Sequence, residues 1–492
     1  MPLDPRTPVL VGYGQVNQHD DAPESLEPVE LMAAAARQAA DPGVLRAVDA
    51  IRVVKVLSCR YRDAGLLLGE CIGADNPATA YSPIGGNVPQ SLVSQACLDI
   101  QNGRAGVVLI AGAEAWRTRM RLRAKGARPD WTQQDESVPM AAGDEDNVPM
   151  AGPAELRIKL DRPAYVYPLF EQAVRIAAGE STVDHRRRIG ELWAQFNAVA
   201  VDNPHAWSRT PRTAAEIWQP GPANRMISWP YPKLMNSNNM VDQGAVVILT
   251  SAETAARLKV PTDRWVFPHA GTDSHDTYAI GERDELHRSP AIRIAGARVL
   301  KLAGAGIDDI DYVDIYSCFP SAVQIAAAEL GLPVGDPDRP LTVTGGLTFA
   351  GGPWNNYVTH SIATMAQRLV ANPGSRGLIT ANGGYLTRHS FGVYSTDPPA
   401  TEFCWEDVQS VVDREPTRRA VVEWEGVGRV ESWTTPHDRD GQPEKAFVAV
   451  RTPDENRTLA LIDDPAAAEV TVREDIFGTH VVVRPDGTAR LL

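Results

Sequence analysis

The five cysteines are the side chains best suited to covalent chemistry, because a thiolate attacks thioester and carbonyl carbons. They are scattered along the sequence at Cys59, Cys71, Cys97, Cys318 and Cys404. No two of them form a CxxC pair, and none has a neighbouring histidine at metal-ligand spacing. The pattern favours free thiols over a disulfide framework or a zinc site, and we expect no bound metal.

A second group of polar residues lies near the ends of predicted strands. Cys318 follows the strand that ends at Tyr316, and Asn382 precedes two glycines shortly before His389. His360 lies on the helix predicted over Asn356–Val370. Each of these side chains could serve catalysis, and each could equally be a packed core residue or a turn former. The residues themselves leave both interpretations open.

Two glycines stand just before a predicted helix. Gly85 and Gly86, followed by Asn87, precede the helix that starts near Val88. Unpaired backbone N–H groups at a helix start bind anions, so this loop could cradle one. A tight turn before Pro89 explains the glycines equally well.

The composition excludes several classes of protein. The chain has 492 residues, of which 43% are hydrophobic and 22% are charged, and its net charge is −14. These values are typical of a globular protein rather than a disordered or fibrous one. A strongly acidic chain repels phosphate backbones, so nucleic acid is disfavoured as a partner. No stretch resembles a signal peptide or a membrane span, so we expect a cytoplasmic protein without a membrane partner.

Strands and helices alternate along the first half, and the order recurs in the second. The helix–strand unit ending at Val107–Ala111 has a counterpart ending at Gly377–Ala381, about 270 residues later. After Pro399 the chain becomes rich in Val, Thr and Glu, which is typical of short antiparallel strands. The predicted domains are an N-terminal α/β half over 1–250 with an insertion at 116–235, a C-terminal α/β half over 251–400, and a β-rich domain over 401–492.

Four segments in order resemble the thiolase superfamily. They are Gly103–Glu114, Asn236–Ala245 (NSNNMVDQGA), Tyr316–Phe319 and Gly345–Pro353 (GGLTFAGGP). The chain is most similar to the sterol-carrier-protein type and to thiolase-like proteins of the acetyl-CoA acetyltransferase kind. The resemblance implies a duplicated thiolase fold: two βαβαβαββ halves in five α-β-α-β-α layers, with an inserted loop domain. The C-terminal segment resembles the OB-like domains that accompany some thiolase-like proteins.

The resemblance also implies a set of site residues. It places the nucleophile at Gly86, where this chain has no side chain, and replaces the histidine and acidic residue of the HDCF motif by Tyr316 and Ser317. The histidine of the GHP motif becomes Gly352. The implied site comprises Cys318, Tyr316, His360, Asn382 and His389 as catalytic candidates, Gly85, Gly86 and Asn87 in the nucleophile loop, and Gly351, Gly352 and Pro353 in the GHP-equivalent loop.

Coenzyme A carries several phosphates, so its site needs local positive charge. The start of the insertion concentrates such charge at Arg121, Arg123 and Lys125, and a second group includes Arg187. A solvated charged surface is the alternative explanation for both groups. We expect CoA or acyl-CoA as a ligand and no covalently bound cofactor.

Three functions are compatible with this sequence. The first is a thiolase-like protein of lipid metabolism, in fatty acid or sterol degradation, that binds CoA or acyl-CoA without ordinary thiolysis because Gly86 replaces the nucleophile. The second is a retro-aldolase acting on β-hydroxyacyl-CoA through Tyr316 and Cys318. The third is a non-enzymatic partner in acyl-CoA metabolism. The sequence leaves open whether the protein is an enzyme, and whether it is a dimer or a monomer.

Overall fold

The computed structural model describes residues 3–19, 25–143 and 148–492. Its strands are β1 (Pro8–Asn17), β2 (Ala50–Val53), β3 (Ala78–Tyr81), β4 (Val107–Ala115), β5 (Met226–Trp229), β6 (Tyr231–Pro232), β7 (Asp242–Ser251), β8 (Phe267–His275), β9 (Tyr312–Asp314), β10 (Arg376–Gly383), β11 (Arg388–Ser395), β12 (Cys404–Asp407), β13 (Gly426–Pro436), β14 (Ala446–Arg451), β15 (Arg457–Ile462), β16 (His480–Val483) and β17 (Ala489–Leu491).

Its helices are α1 (Pro28–Ala39), α2 (Pro42–Arg46), α3 (Ala64–Ile72), α4 (Val88–Gln101), α5 (Trp116–Ala124), α6 (Pro153–Arg157), α7 (Pro163–Ala177), α8 (Thr182–Asp202), α9 (Ala214–Trp218), α10 (Ala252–Arg257), α11 (Pro290–Leu302), α12 (Pro320–Leu330), α13 (Gly346–Phe349), α14 (Tyr357–Ala371), α15 (Gln409–Val412) and α16 (Pro465–Arg473).

The first sheet has the strand order β1-β7-β4-β2-β3. Strand β7 runs antiparallel to both β1 and β4, whereas β4, β2 and β3 are parallel to one another. All residues of β4 are buried, which is why its sequence is a continuous apolar run rather than an alternating one. The predicted strand at Val107–Ala111 is confirmed and extends four residues further, to Ala115.

The second sheet repeats the arrangement of the first. Its order is β12-β8-β11-β10-β9, with β11 antiparallel to β8 and β10, and β10 parallel to β9. The series β8-β11-β10-β9 therefore matches β1-β7-β4-β2 in both order and direction. The sheets differ at both edges, because the fifth strand of the first, β3, lies beside β2, whereas that of the second, β12, lies beside β8, the counterpart of β1.

Helix α4 follows the loop that contains Gly85 and Gly86, and α14 follows the loop that contains Gly352 and Pro353. The two helices contact each other, and α4 also contacts strands of both sheets. The loops before these helices are thereby brought together, along with the ends of β9 and β10.

The insertion at 116–235 is mainly helical. The sequence indicates a long segment without strand–helix alternation, and the structure has helices α5 to α9 and the short strands β5 and β6 there. Helix α7 packs on β13 of the C-terminal sheet, and β5 pairs with β13. The insertion therefore joins the C-terminal strands to the α/β halves.

The C-terminal sheet is antiparallel, with the order β15-β14-β13-β16-β17. Its own core includes Trp433, Val448 and Val481. Over the described ranges, no helix is long and apolar enough to cross a membrane.

The outer edge of β3 is covered by part of the insertion. The Tyr81 N–H donates to the Ala142 carbonyl at 2.7 Å, and Ala80 forms a bridge with Ala142. Gln134 binds the backbone of Arg62 and Asp63 nearby and holds this segment in place. Since an open edge strand pairs with other chains, this cover removes one surface for strand addition.

Candidate functional site

The centre of the candidate site is a buried group of hydrogen-bonding side chains. Asn382, near the end of β10, donates from Nδ2 to the Tyr167 hydroxyl at 3.0 Å and to the Cys318 sulfur at 3.7 Å. Cys318 lies in the turn between β9 and α12, and Tyr167 lies on α7 of the insertion. The structure thus brings together two of the residues predicted from sequence, Cys318 and Asn382, and adds Tyr167.

The space beside Gly86 is filled by other residues. A Cβ atom built on Gly86 would overlap the Asn382 carbonyl oxygen and would lie 2.5 Å from the Tyr316 hydroxyl oxygen. Real Cβ atoms essentially never make contacts this short. The backbone here therefore has room for glycine only, and the Tyr316 hydroxyl occupies the position that a side chain would take.

Tyr316 and Cys318 are both held in their protonated forms by burial. Burial raises the pKa of the Cys318 thiol to about 12, against the smaller opposing effect of the hydrogen bonds around its sulfur. Burial also raises the pKa of the Tyr316 phenol, and the nearby Cys318 raises it further. At neutral pH the site holds a thiol and a phenol rather than a thiolate, so Cys318 is a poor nucleophile.

His389, on β11, is held by a buried carboxylate. Its Nε2 lies 3.2 Å from the Leu386 carbonyl oxygen and 3.6 Å from Asp276 Oδ2. Burial tends to raise the pKa of Asp276, but the charge of Arg283 and the contact with His389 outweigh it and the pKa is lowered. Both neighbouring oxygens are acceptors, so the geometry favours the tautomer with the hydrogen on Nε2.

A small cavity lies among these residues. It has a volume of about 10 Å³ and is lined by Tyr316, Asn382 and His389 together with apolar side chains such as Phe391. This is roughly the space one water molecule needs. The Oδ1 atom of Asn382 is buried and has no hydrogen-bond partner within the described part of the chain.

The loop of Gly351, Gly352 and Pro353 differs from the loop of Gly86 in its packing. A Cβ on Gly352 would come no closer than 3.4 Å to any atom, which is ordinary contact. The Gly352 N–H donates to the Asn238 carbonyl at 2.9 Å. Gly351 has φ +107°, and a Cβ there would overlap the Gln243 side chain, so only Gly351 needs to be glycine.

The nucleophile loop is tied to this second loop by a side chain. The Gly85 N–H donates to Asn355 Oδ1 at 3.1 Å, so it is not free to bind an anion. Asn87 leaves its Oδ1 buried and without a partner among the residues described.

His360, on α14, is turned to a different environment. Its Nδ1 lies 3.0 Å from Gln15 Oε1 on β1. Within the described residues, His360 makes no hydrogen bond to Tyr316, Cys318 or Asn382. Burial lowers the pKa of His360 to about 3, so its imidazole is neutral at physiological pH. Its other ring nitrogen, Nε2, is buried and has no hydrogen-bond partner among the residues described, and a catalytic role for His360 stays a prediction.

The predicted phosphate-binding cations lie on two separate elements. Arg121 and Arg123 are on α5 and Lys125 caps it, whereas Arg187 lies on α8 and pairs with Asp184 at 3.2 Å. Arg121 donates to the Ser25 hydroxyl at 3.0 Å. The exposed Arg123 and Lys125 are the better placed of the four to meet a ligand in solution.

Sequence reasoning missed Tyr167 and Asp276 as members of this site. Tyr167 is far from the strand ends in sequence, and no motif links it to Asn382. Its one available signal was an aromatic pair, Tyr165 and Tyr167, next to a proline in an apolar stretch.

Both the C-terminal segment and the whole chain match known thiolase-like proteins. Residues 407–488 match the family described as "Thiolase-like protein type 1 additional C-terminal domain". The crystal structure of a monomeric SCP2-thiolase like protein type 1 from Mycobacterium smegmatis is 31% identical, with a TM-score of 0.83, and the match covers 100% of both chains. The chain belongs to the SCP2-thiolase-like protein type 1 family. Its fold is accordingly thiolase-like, with two mixed sheets and an extra antiparallel sheet near the C-terminus.

Two more distant relatives place this SCP2-thiolase-like protein in a wider group. An acetyl-CoA acetyltransferase from Methanothermobacter thermautotrophicus is 25% identical over an alignment of 229 residues, and the match covers 42% of this chain. The match spans only 57% of the length of that acetyltransferase. The structure titled Ltp2-ChsH2(DUF35) aldolase is 18% identical with a TM-score of 0.57, over 80% of this chain and 98% of the other, and shows a shared fold.

Proposed function

We propose that this protein binds CoA thioesters on a thiolase scaffold without carrying out cysteine-dependent acyl transfer. The observation that carries the proposal is the packing at Gly86, the position that the family resemblance assigns to the nucleophile. Tyr316 and the Asn382 backbone fill the space that a nucleophilic side chain would need. Ordinary thiolysis requires a thiolate at that point, so removing it costs orders of magnitude in rate.

Cys318 does not replace the missing nucleophile in this proposal. Its thiol is buried and its pKa is raised to about 12, so the thiolate fraction at neutral pH is negligible. Cys97 is also unsuitable, because it is fully buried on α4 and burial raises its pKa as well. These features support binding or non-covalent chemistry over acyl-enzyme formation.

The experiment pairs a binding measurement with an activity measurement. Calorimetry with CoA and acetoacetyl-CoA should detect binding, while thiolysis of acetoacetyl-CoA should stay at the level of a protein-free blank. Incubation with a labelled acyl donor, followed by mass spectrometry, should give no acyl adduct. Robust thiolysis, or an adduct on α4 or its preceding loop, would refute the proposal.

A second candidate is a retro-aldol lyase acting on β-hydroxyacyl-CoA. Two observations favour it: the Tyr316 hydroxyl stands beside Gly86, and Asn382 leaves a buried acceptor oxygen unpaired. In this mechanism His389 accepts the β-hydroxyl proton, the Cα–Cβ bond breaks and a carbonyl product leaves. Tyr316 donates a hydrogen bond to the enolate oxygen, and the enolate carbon then takes the proton from His389 to give the shortened acyl-CoA.

The lyase is tested by incubation with 3-hydroxyacyl-CoA and detection of the released aldehyde or ketone. Tyr316→Phe should lower the rate at least ten-fold, as removal of one transition-state hydrogen bond does. Tyr312→Phe, on β9 four residues earlier and outside the site, is the matched control. Absence of product in the wild-type protein would reject this candidate.

The finer architecture is also part of the proposal. We infer two related α/β halves in five layers from the order and direction that four strands of each sheet share. Within the described residues the second half has no strand between α12 and α14, so it lacks one strand of the expected βαβαβαββ pattern. The OB-like character of residues 401–492 is supported by their antiparallel strands. We further propose a monomer, because part of the insertion covers the edge of β3 and the Mycobacterium smegmatis relative is described as monomeric.

A further inference from the structure

Tyr167 comes from the insertion but ends inside the candidate site. Its side chain is 2% exposed, and its ring stacks on Phe319 with centroids 4.4 Å apart. Its hydroxyl accepts from the Leu386 N–H at 2.9 Å and from Asn382 Nδ2 at 3.0 Å, and it donates to the Gly384 carbonyl at 3.2 Å. All of its hydrogen-bonding capacity is used.

These contacts fix which way the Asn382 amide faces. Its Nδ2 has two hydrogens, and these are directed to the Tyr167 hydroxyl and the Cys318 sulfur. The opposite atom, Oδ1, is left buried and without a partner in the described structure. A rotated amide would place a second acceptor against the Tyr167 oxygen, which already donates its proton to Gly384.

An unpaired buried acceptor is costly until a donor meets it. Asn382 lines the cavity of about 10 Å³ with Tyr316 and His389, and this space matches a hydroxyl group in size. We propose that Tyr167 is a positioning residue that orients the Asn382 amide so that its oxygen accepts a hydrogen bond from the 3-hydroxyl group of a CoA ester. This inference rests on the proposed binding of CoA thioesters and specifies the ligand class.

A purely structural role for Tyr167 makes a different prediction. Stacking on Phe319 needs the aromatic ring and not the hydroxyl, so Tyr167→Phe would then leave ligand preference unchanged. Tyr165→Phe is a matched control on the same helix, because within the described part of the chain the Tyr165 hydroxyl accepts only from Arg162, at 3.3 Å, outside the site. The comparison of the two variants isolates the hydroxyl of Tyr167.

The test is calorimetry with 3-hydroxybutyryl-CoA and butyryl-CoA, two probes that differ by one hydroxyl. The wild-type protein and Tyr165→Phe should bind the hydroxylated ester about ten-fold more tightly, as one buried hydrogen bond allows. Tyr167→Phe should reduce this preference to two-fold or less. Equal preference in all three proteins, or no preference in the wild type, would overturn the inference.

A second readout does not depend on CoA binding. Labelling of Cys318 by a small thiosulfonate, followed by peptide mass spectrometry across pH, reports the hydrogen bonds around its sulfur. Tyr167→Phe should move the midpoint of labelling to higher pH, because the Asn382 amide can then turn and its Nδ2 no longer donates to the sulfur. Tyr165→Phe should leave the midpoint unchanged. If neither ester binds the wild type, the proposed function fails. The pH profile of Cys318 labelling then still decides whether Tyr167 positions the Asn382 amide.

The double variant Tyr167→Phe/Asn382→Leu guards against misfolding of the single variant. It replaces both hydrogen-bonding partners by apolar groups of similar size. This lowers the stability of the fold less than removing one partner and leaving the other unpaired. If Tyr167 acts through Asn382, the double variant should have the same ester preference as Asn382→Leu alone. A further loss of preference in the double variant would contradict the positioning role.

Discussion

Adding a single methyl group at Gly86 should destabilise the protein markedly. The new Cβ would overlap the Asn382 carbonyl oxygen, which is backbone and cannot move far, and would lie 2.5 Å from the Tyr316 hydroxyl. Forcing one carbon into a filled site costs about 1–3 kcal/mol. Because one of the two obstacles is backbone, we expect Gly86→Ala at the upper end of this range.

Two other glycines provide matched controls for the same chemical change. A Cβ on Gly352 makes only ordinary contacts, so Gly352→Ala should change stability by less than about 0.5 kcal/mol. A Cβ on Gly43, in α2, meets nothing within 4 Å, so Gly43→Ala should be neutral or stabilise by up to about 1 kcal/mol.

The measurement is urea unfolding of the three variants and the wild type, followed by circular dichroism. The expected order of stability is Gly43→Ala, then Gly352→Ala, with Gly86→Ala well below both. If Gly86→Ala lies within about 0.5 kcal/mol of Gly352→Ala, the packing argument is refuted, and the proposal that a nucleophile is sterically excluded loses its basis.

Three further outcomes are expected. Burial raises the pKa of Glu114 from its ordinary value of 4.5 to about 7 in the folded protein. The stability contributed by the raised pKa is therefore fully present below pH 4.5 and is lost as the pH rises through 7. Glu114→Gln should therefore be more stable relative to wild type at pH 8 than at pH 5, by up to about 3 kcal/mol in urea unfolding; an equal difference at both values would contradict this. Iodoacetamide at pH 8 should label the exposed Cys71 and leave Cys318 unmodified in peptide mass spectra, since burial raises the Cys318 pKa to about 12; comparable labelling of both would not fit the buried site. Light scattering after size exclusion should give one chain of 53.3 kDa, and a dimer would show that the cover on β3 does not block association.

Much of the fold could be predicted because its signals are local. The apolar run at Val107–Ala111 and its counterpart at Gly377–Ala381 indicated buried strands, and both are present as β4 and β10. The predicted helix at Asn356–Val370 is α14, shifted by one residue at each end. Strand ends were less accurate, because pairing with neighbours rather than local composition decides where a strand stops.

The candidate site could be predicted only where a motif of the thiolase superfamily marks a residue. Cys318 and Asn382 were predicted from that resemblance, and they lie in contact. Tyr167 was missed, because its place depends on how the insertion folds over the α/β halves, which no local pattern encodes. His360, on α14, was included because of its position in the sequence, yet its ring faces Gln15 on β1.

The phenol beside Gly86 also bears on how such a protein could change over time. If an ancestor had a reactive sulfur here, restoring it by one codon change would meet Tyr316 and the chain at Asn382 at once. Recovery would need a smaller residue at 316 and a shifted strand end in the same lineage. Each step alone would be harmful, so the packing of Tyr316 and the Asn382 backbone around Gly86 opposes a return to the older site. Selection would more easily refine a new activity there than recover an old one.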